Sequence, residues 1–314
     1  MSSGLGGVHP QIRALMEAED PVAPDPADLA AQRAAYLQTT VELGGAAEVV
    51  DRVEDVVIPR GDERVRARVY VPQHPTAPAG AMVWLHGGGW CMGDVETHDR
   101  VTRALANASS LTVVSVDYRL APEDPWPAPV QDADAALRWV RSDGAEQLGI
   151  DPERVVIGGD SAGGNLAVVA ARHARGDGLP PVRLQLLVYP ALDAAMDSDS
   201  YRQFAKGPML TAEEMERCWT VYLGGAGNGD PDASPLLATD LGDLPPAAIA
   251  VAGQDPVRDD GLRYADALRA AGVPVDVLVL DDMVHGFLRW GGVVDRTREL
   301  LDWLGDRARA ATST

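Results

Sequence analysis

Between Val65 and Val71 the chain alternates. Val65, Ala67, Val69 and Val71 are separated by Arg66, Arg68 and Tyr70, the period of a half-buried strand. Ala81 to Leu85 is a short apolar run bounded by glycines, which predicts a strand buried on both faces. Further strands are predicted at Leu111–Val116, Val155–Ile157, Leu184–Val188, Ala247–Ala252 and Val275–Leu280. Helices are predicted between them at Val101–Ala108, Asp132–Val140, Asn165–Arg175 and Arg263–Ala271, with a last one from about Asp295 to Ala310. Strand and helix alternating at this spacing imply an α/β fold, a mostly parallel sheet covered on both faces.

Two stretches fall outside the alternation. Residues 1–50 read as helical. Ile12, Leu15 and Met16 form one stripe and Leu29, Arg33, Tyr36 and Leu37 a second, with Pro21, Pro24 and Pro26 breaking the chain between them and Gly44-Gly45 closing it. Residues 191–237 show no clear strand and one helix, Thr211–Tyr222, followed by a loop at Gly224–Gly229. That is too long for a plain connection, so it is expected to be an insertion packed over one end of the sheet, with the N-terminal helices as the other half of a cap. The expected organisation is cap helices at 1–50, core at 51–190, cap insertion at 191–237 and core again at 238–314.

Composition narrows the field. The chain has 314 residues, 46% of them apolar, enough to build a large core without staples. Its formal net charge of −20 argues against nucleic-acid and anionic-membrane partners. No apolar run reaches the roughly 18 residues needed to span a bilayer. Met1 to Gly7 lack the basic and apolar regions of a secretory signal. Cys91 and Cys218 are too few for a disulfide framework and fit free thiols. A cytoplasmic protein is the expectation.

The candidate chemistry lies in loops that follow strands. Gly159-Asp160-Ser161-Ala162-Gly163 directly follows a strand and opens a helix, the context of a nucleophile elbow. A turn that tight strains the serine and leaves no room for side chains two residues to either side. It also puts Ser161 at a helix N-terminus, where backbone N–H groups favour developing negative charge. His86-Gly87-Gly88-Gly89-Trp90 follows the Ala81–Leu85 strand, and its three glycines leave backbone N–H groups unshielded by any Cβ. The order nucleophile, acid, histidine then selects His285, the one histidine beyond His173. His98, beside Asp99, resembles a charge pair but precedes the nucleophile, which fits a structural role. Asp255 stands at the immediate end of the Ala247–Ala252 strand and is favoured as the acid. Asp259 and Asp260 compete with it but fit the start of the next helix, and Asp281 and Asp282 are too near His285 in sequence. No Cys, His or carboxylate cluster has convincing metal-ligand spacing.

Together these pieces resemble the hormone-sensitive-lipase family of α/β hydrolases, the bacterial esterases with a Gly-Asp-Ser-Ala-Gly motif. Tyr118-Arg119-Leu120-Ala121-Pro122-Glu123 is similar to a block of that family, and Tyr189-Pro190 and Asp232-Ala233-Ser234-Pro235-Leu236 bracket the insertion as in relatives. The resemblance covers the chain from about residue 50 onward. A departure is Asp260, where relatives often have glutamate. The resemblance implies a serine carboxylesterase with Ser161 as nucleophile, His285 as base and Asp255 as its orienting acid. It implies oxyanion donors at the N–H groups of Gly88, Gly89 and Ala162, no cofactor and no metal. Small-molecule esters with short to medium acyl chains are the expected substrates, and a homodimer paired along Val275–Leu280 is a family habit. Trp90, Phe204, Met209, Leu210, Trp219, Tyr222, Phe287 and Leu288 are the expected pocket lining, and Cys91-Met92 could shape the acyl pocket. An amidase, formamidase or lactonase would share the triad. A non-catalytic small-molecule receptor would share the fold, but His285 argues against it.

Overall fold

A computed structural model describes residues 6–18, 25, 28–227 and 229–313. Pro21, Pro24 and Pro26 lie outside the described residues. In chain order the helices are α1 Pro10–Glu17, α2 Leu29–Leu43, α3 Asp99–Ser109, α4 Ala128–Val140, α5 Asp143–Leu148, α6 Ala162–His173, α7 Asp199–Gln203, α8 Ala212–Leu223, α9 Arg258–Ala270 and α10 Asp295–Thr312. The strands are β1 Arg52–Arg60, β2 Glu63–Val71, β3 Ala81–Leu85, β4 Thr112–Asp117, β5 Val155–Asp160, β6 Gln185–Val188, β7 Ala247–Gln254 and β8 Val275–Val284.

The eight strands form one sheet in the order β1-β2-β4-β3-β5-β6-β7-β8. β1 and β2 pair antiparallel, β2 runs antiparallel to β4, and the remaining neighbours are parallel. β3 sits between β4 and β5 with all five residues buried, which is why its sequence shows no polar alternation. β1 is missing from the sequence reading because it is an edge strand. Most of its residues are exposed or half-buried, and Pro59 interrupts its pattern where an edge tolerates it. The right-handed rule for parallel crossovers, applied to this strand order, assigns α3 to one face and α4, α6 and α9 to the other. α10 packs beside α3, and α4 beside α6.

Parallel strands end on the same side. Leu85, Asp160, Gln254 and Val284, the last residues of β3, β5, β7 and β8, bring the loops that follow them to one rim. β8 runs four residues beyond the expected Leu280, so His285 comes directly off its end. The insertion is tied down at both ends. Asn165 Nδ2 donates to the carbonyls of Ala191 and Ala233, at 2.9 and 3.0 Å. Asp260 is buried and accepts the amides of Leu192 and Asp193, at 2.9 and 3.1 Å. Burial pushes the Asp260 carboxyl well above its usual range. Among the described residues no helix is long and apolar enough to cross a membrane.

Candidate active site

Ser161 is held at φ 54°, ψ −117°, a strained conformation for a residue with a side chain. Its N–H donates to the Val188 carbonyl of the neighbouring strand, which locks the bend. The flanking glycines are a steric requirement. A Cβ on Gly163 would fall on the Leu85 carbonyl, and one on Gly159 would come within 2.5 Å of the same oxygen.

The bend brings Ser161 Oγ to 2.8 Å from His285 Nε2. His285 Nδ1 lies 2.7 Å from Asp255 Oδ2. A carboxylate only accepts, so Nδ1 carries the proton and Ser161 donates to Nε2. Asp255 is fully buried, and its other oxygen accepts the Val257 amide at 3.0 Å. Of its sequence rivals, Asp260 holds the insertion and Asp259 accepts the Ser200 amide at 2.8 Å. Neither faces the imidazole. The Tyr189 ring stands 4.6 Å from the His285 ring and limits its swing.

The glycine loop is fixed from beneath. Gly88 and Gly89 have φ of 129° and 59°, and the Gly88 carbonyl accepts the amides of Cys91 and Met92. Tyr118 donates to the His86 carbonyl at 2.7 Å, and Ala121 N–H donates to the Trp90 carbonyl at 2.9 Å. Asp160, next to the serine, accepts the Gly87 amide at 3.0 Å and stands 3.1 Å from His98 Nε2. Burial alone would raise the Asp160 carboxyl, but the His98 ring opposite, with Arg289 and His86 further off, leaves it below its usual range. His98 thus anchors the loop through Asp160 and does not touch the serine. With the loop so held, the N–H groups of Gly88, Gly89 and Ala162 have no acceptor among the described residues. Unbonded amides beside a strained serine can receive a developing oxyanion.

These groups open into a cavity of about 880 Å³. Helix α2 supplies Leu29, Gln32, Tyr36 and Thr39, and the insertion supplies Met209, Leu210 and residues 213–218, 220 and 221. Cys91, Met92, Pro122 and Arg289 complete much of the remaining wall. Of the expected lining residues, only Met209 and Leu210 are in this wall. Trp90, Phe204, Trp219, Tyr222, Phe287 and Leu288 lie outside it, all buried in packing. The Trp90 ring stacks on Tyr222 at 4.3 Å and tilts against Trp219 at 4.4 Å, an aromatic wedge that seats α8 on the glycine loop. Phe287 packs against Tyr189, and Phe204 under Arg258. Aromatics at helical spacing mark a packed face, and here that face turns inward. The residues missed by sequence reasoning, Tyr36 and Arg289, carried no motif.

The family block also has a physical account. Arg119 pairs with buried Asp132, and Glu123 holds Arg33 of α2 through two bonds of 2.7 and 2.8 Å. Arg33 Nε donates to the Cys91 carbonyl at 2.8 Å, so α2 is clamped to the glycine loop.

Fold and site together define an α/β hydrolase with a serine, histidine and aspartate in hydrogen-bonded sequence. Residues 82–289 match the family described as alpha/beta hydrolase fold. The chain belongs to that family, in its hormone-sensitive-lipase-like branch. It is 44% identical over 254 residues to Esterase LipI of Mycobacterium tuberculosis, covering 79% of this chain and 78% of the relative. It is 34% identical to an ethyl acetate hydrolase of Pseudomonas putida, covering 85% of each. Among solved structures, a Pyrobaculum calidifontis esterase superposes with a TM-score of 0.88 at 37% identity, over 96% of this chain and 98% of that one.

Proposed function

We propose that the protein is a serine carboxylic-ester hydrolase that works through an acyl-enzyme on small esters with short to medium acyl chains. The observation that carries the reading is the unbroken bond sequence Ser161–His285–Asp255 opening on a cavity beside three unbonded amides. Ser161 Oγ attacks the ester carbonyl while His285 Nε2 takes its proton. The carbonyl oxygen becomes an oxyanion that accepts from Gly88, Gly89 and Ala162, each donor supporting the barrier reduction by about 3 kcal/mol. His285 then protonates the departing alcohol. Water, deprotonated by the same imidazole, releases the acid and restores Ser161. Asp255 keeps Nδ1 protonated and steadies the imidazolium. The esterases and the ethyl acetate hydrolase among the relatives support the ester as substrate.

The reading includes a reducing, cytoplasmic setting, supported by the free thiols Cys91 and Cys218. It includes a homodimer through β8, supported by that strand's place at the sheet edge with Val279 exposed. Ser161→Ala tests the core of the proposal. Turnover of p-nitrophenyl butyrate is expected to fall about 10⁴-fold or more, with the far-UV circular dichroism unchanged. A folded variant with turnover near wild type would remove Ser161 from the chemistry.

A further inference from the structure

Arg289 lies four residues beyond His285, in the single helical turn Phe287–Arg289, and it lines the same cavity. Its residue is 7% exposed. Nη1 donates to Thr40 Oγ1 at 2.5 Å and to the Tyr36 carbonyl at 3.3 Å. The Tyr36 ring covers the guanidinium, whose carbon is 3.7 Å from the ring centroid. These contacts fix the group in place but use only one of its nitrogens. Nε is buried without a partner, and Nη2 makes no bond among the described residues. No carboxylate among the described residues pairs with it. Arg33, Arg68, Arg119 and Arg141, by contrast, each hold one.

Of the other charges of the wall, Glu216 makes no side-chain bond among the described residues, and the rest are tied. Arg217 is tied to Glu213, Glu214 closes the N-terminal box of its own helix, and Asp160 is held by His98 and Gly87. The edge left unbonded on Arg289, Nε with Nη2, has the shape of the side-on fork that binds a carboxylate through two parallel N–H···O bonds; Nε is enclosed, so Nη2 is the donor that faces a ligand first. Among the described residues the only carboxylate shown to act on this buried cation, Asp160, lies beyond ion-pair distance, and a ligand anion in direct contact would offset the cost of its burial.

We propose that Arg289 is a specificity-determining residue that receives an ionised carboxylate carried by the substrate, so that the preferred esters bear one free carboxylate besides the ester group. The proposal rests on the ester-hydrolase reading and deepens it. The carboxylate is carried on the acyl chain, as in a half-ester of a short dicarboxylic acid, or on the alcohol.

Two substrate pairs separate these sources. On the acyl side, p-nitrophenyl hemiglutarate is compared with neutral p-nitrophenyl valerate. On the alcohol side, 4-(butyryloxy)benzoate is compared with its methyl ester. Salt is kept at about 0.15 M to screen the protein's negative surface. For each pair the anionic-to-neutral ratio of kcat/KM is measured in wild type and in Arg289→Gln. The ratio is expected to fall roughly ten- to hundredfold in the pair whose charge meets Arg289. A purely structural latch between α2 and the core would lower both members of a pair alike. A fall of less than about fivefold in both pairs overturns the proposal.

Binding gives a readout free of turnover and of the ester-hydrolase reading. Ser161→Ala is titrated calorimetrically with glutarate and with glutaramide. Tighter binding of glutarate, weakened when Arg289→Gln is added, supports the assignment even if the chemistry is something else. Equal binding of the two ligands to Ser161→Ala overturns it even if ester hydrolysis is established.

Discussion

Acid should loosen the glycine loop through His86. This imidazole is fully buried, stacked on Tyr118 at 4.2 Å, with Nδ1 2.9 Å from the Gly87 carbonyl. A carbonyl only accepts, so Nδ1 carries the proton and Nε2 is the bare nitrogen. Nε2 is buried with no partner. A second proton would therefore sit there without an acceptor, next to the His98 ring 5.6 Å away. Burial, with His98 adding to it, lowers the His86 pKa from 6.5 to about 4. The sign follows. The unfolded chain takes up the proton near pH 6.5 and the native protein does not until about pH 4. The native state therefore has its full stability above 6.5 and loses it as pH falls through that window. Between pH 7 and pH 5 the loss works out at about 2 kcal/mol. The assay is urea unfolding at both pH values in wild type and in His86→Asn, whose amide can still donate to the Gly87 carbonyl but does not titrate. The variant will be less stable at both, having lost the Tyr118 stack. The decisive quantity is the change between the two pH values, which should be about 2 kcal/mol smaller in the variant. Equal changes, within about 0.5 kcal/mol, would refute the argument that His86 stays neutral in the native protein.

Two further outcomes follow from the geometry. Asp255→Asn replaces the acceptor of Nδ1–H with a group able to favour the other tautomer, and kcat for p-nitrophenyl butyrate should fall by about 10⁴-fold while the melting temperature moves little; retention of most activity would assign the orienting acid elsewhere. Trp90→Ala removes the centre of the aromatic wedge and should cost about 3–5 kcal/mol in urea unfolding; a loss below about 1 kcal/mol would show that Trp219 and Tyr222 pack without it.

What the sequence made legible had short range. The α/β alternation was readable because β3 to β7 are buried and are written as mostly apolar runs, interrupted inside β4 by the buried Ser115. The elbow was readable because its glycines answer clashes with chain only a few residues away or on the adjoining strand. Helix starts were read late. Ala128 and Arg258 begin α4 and α9, ahead of the expected Asp132 and Arg263, since first turns are set by caps and loop geometry more than by apolar period.

The cavity wall was not legible for a different reason. Hydrophobicity reports that a side chain is withdrawn from water, but not whether it faces a neighbour or an empty cleft. Trp90, Trp219 and Tyr222 are withdrawn into one another, whereas the wall takes Glu213, Arg217 and Thr220 from the same helix, α8. Arg289 shows the limit most sharply. Its position follows from a turn after His285, but its neighbours Tyr36 and Thr40 belong to α2, some 250 residues earlier in the chain. Only the folded chain brings that guanidinium to the cavity and takes up Nη1 while leaving its other edge unbonded. Ser161, Asp255 and His285 follow β-strand ends that the fold fixes, whereas the cavity wall depends on what two segments outside the sheet lay over them. The selectivity of this hydrolase should therefore respond to changes in α2, α8 and Arg289 that leave the bonds among Ser161, His285 and Asp255 in place.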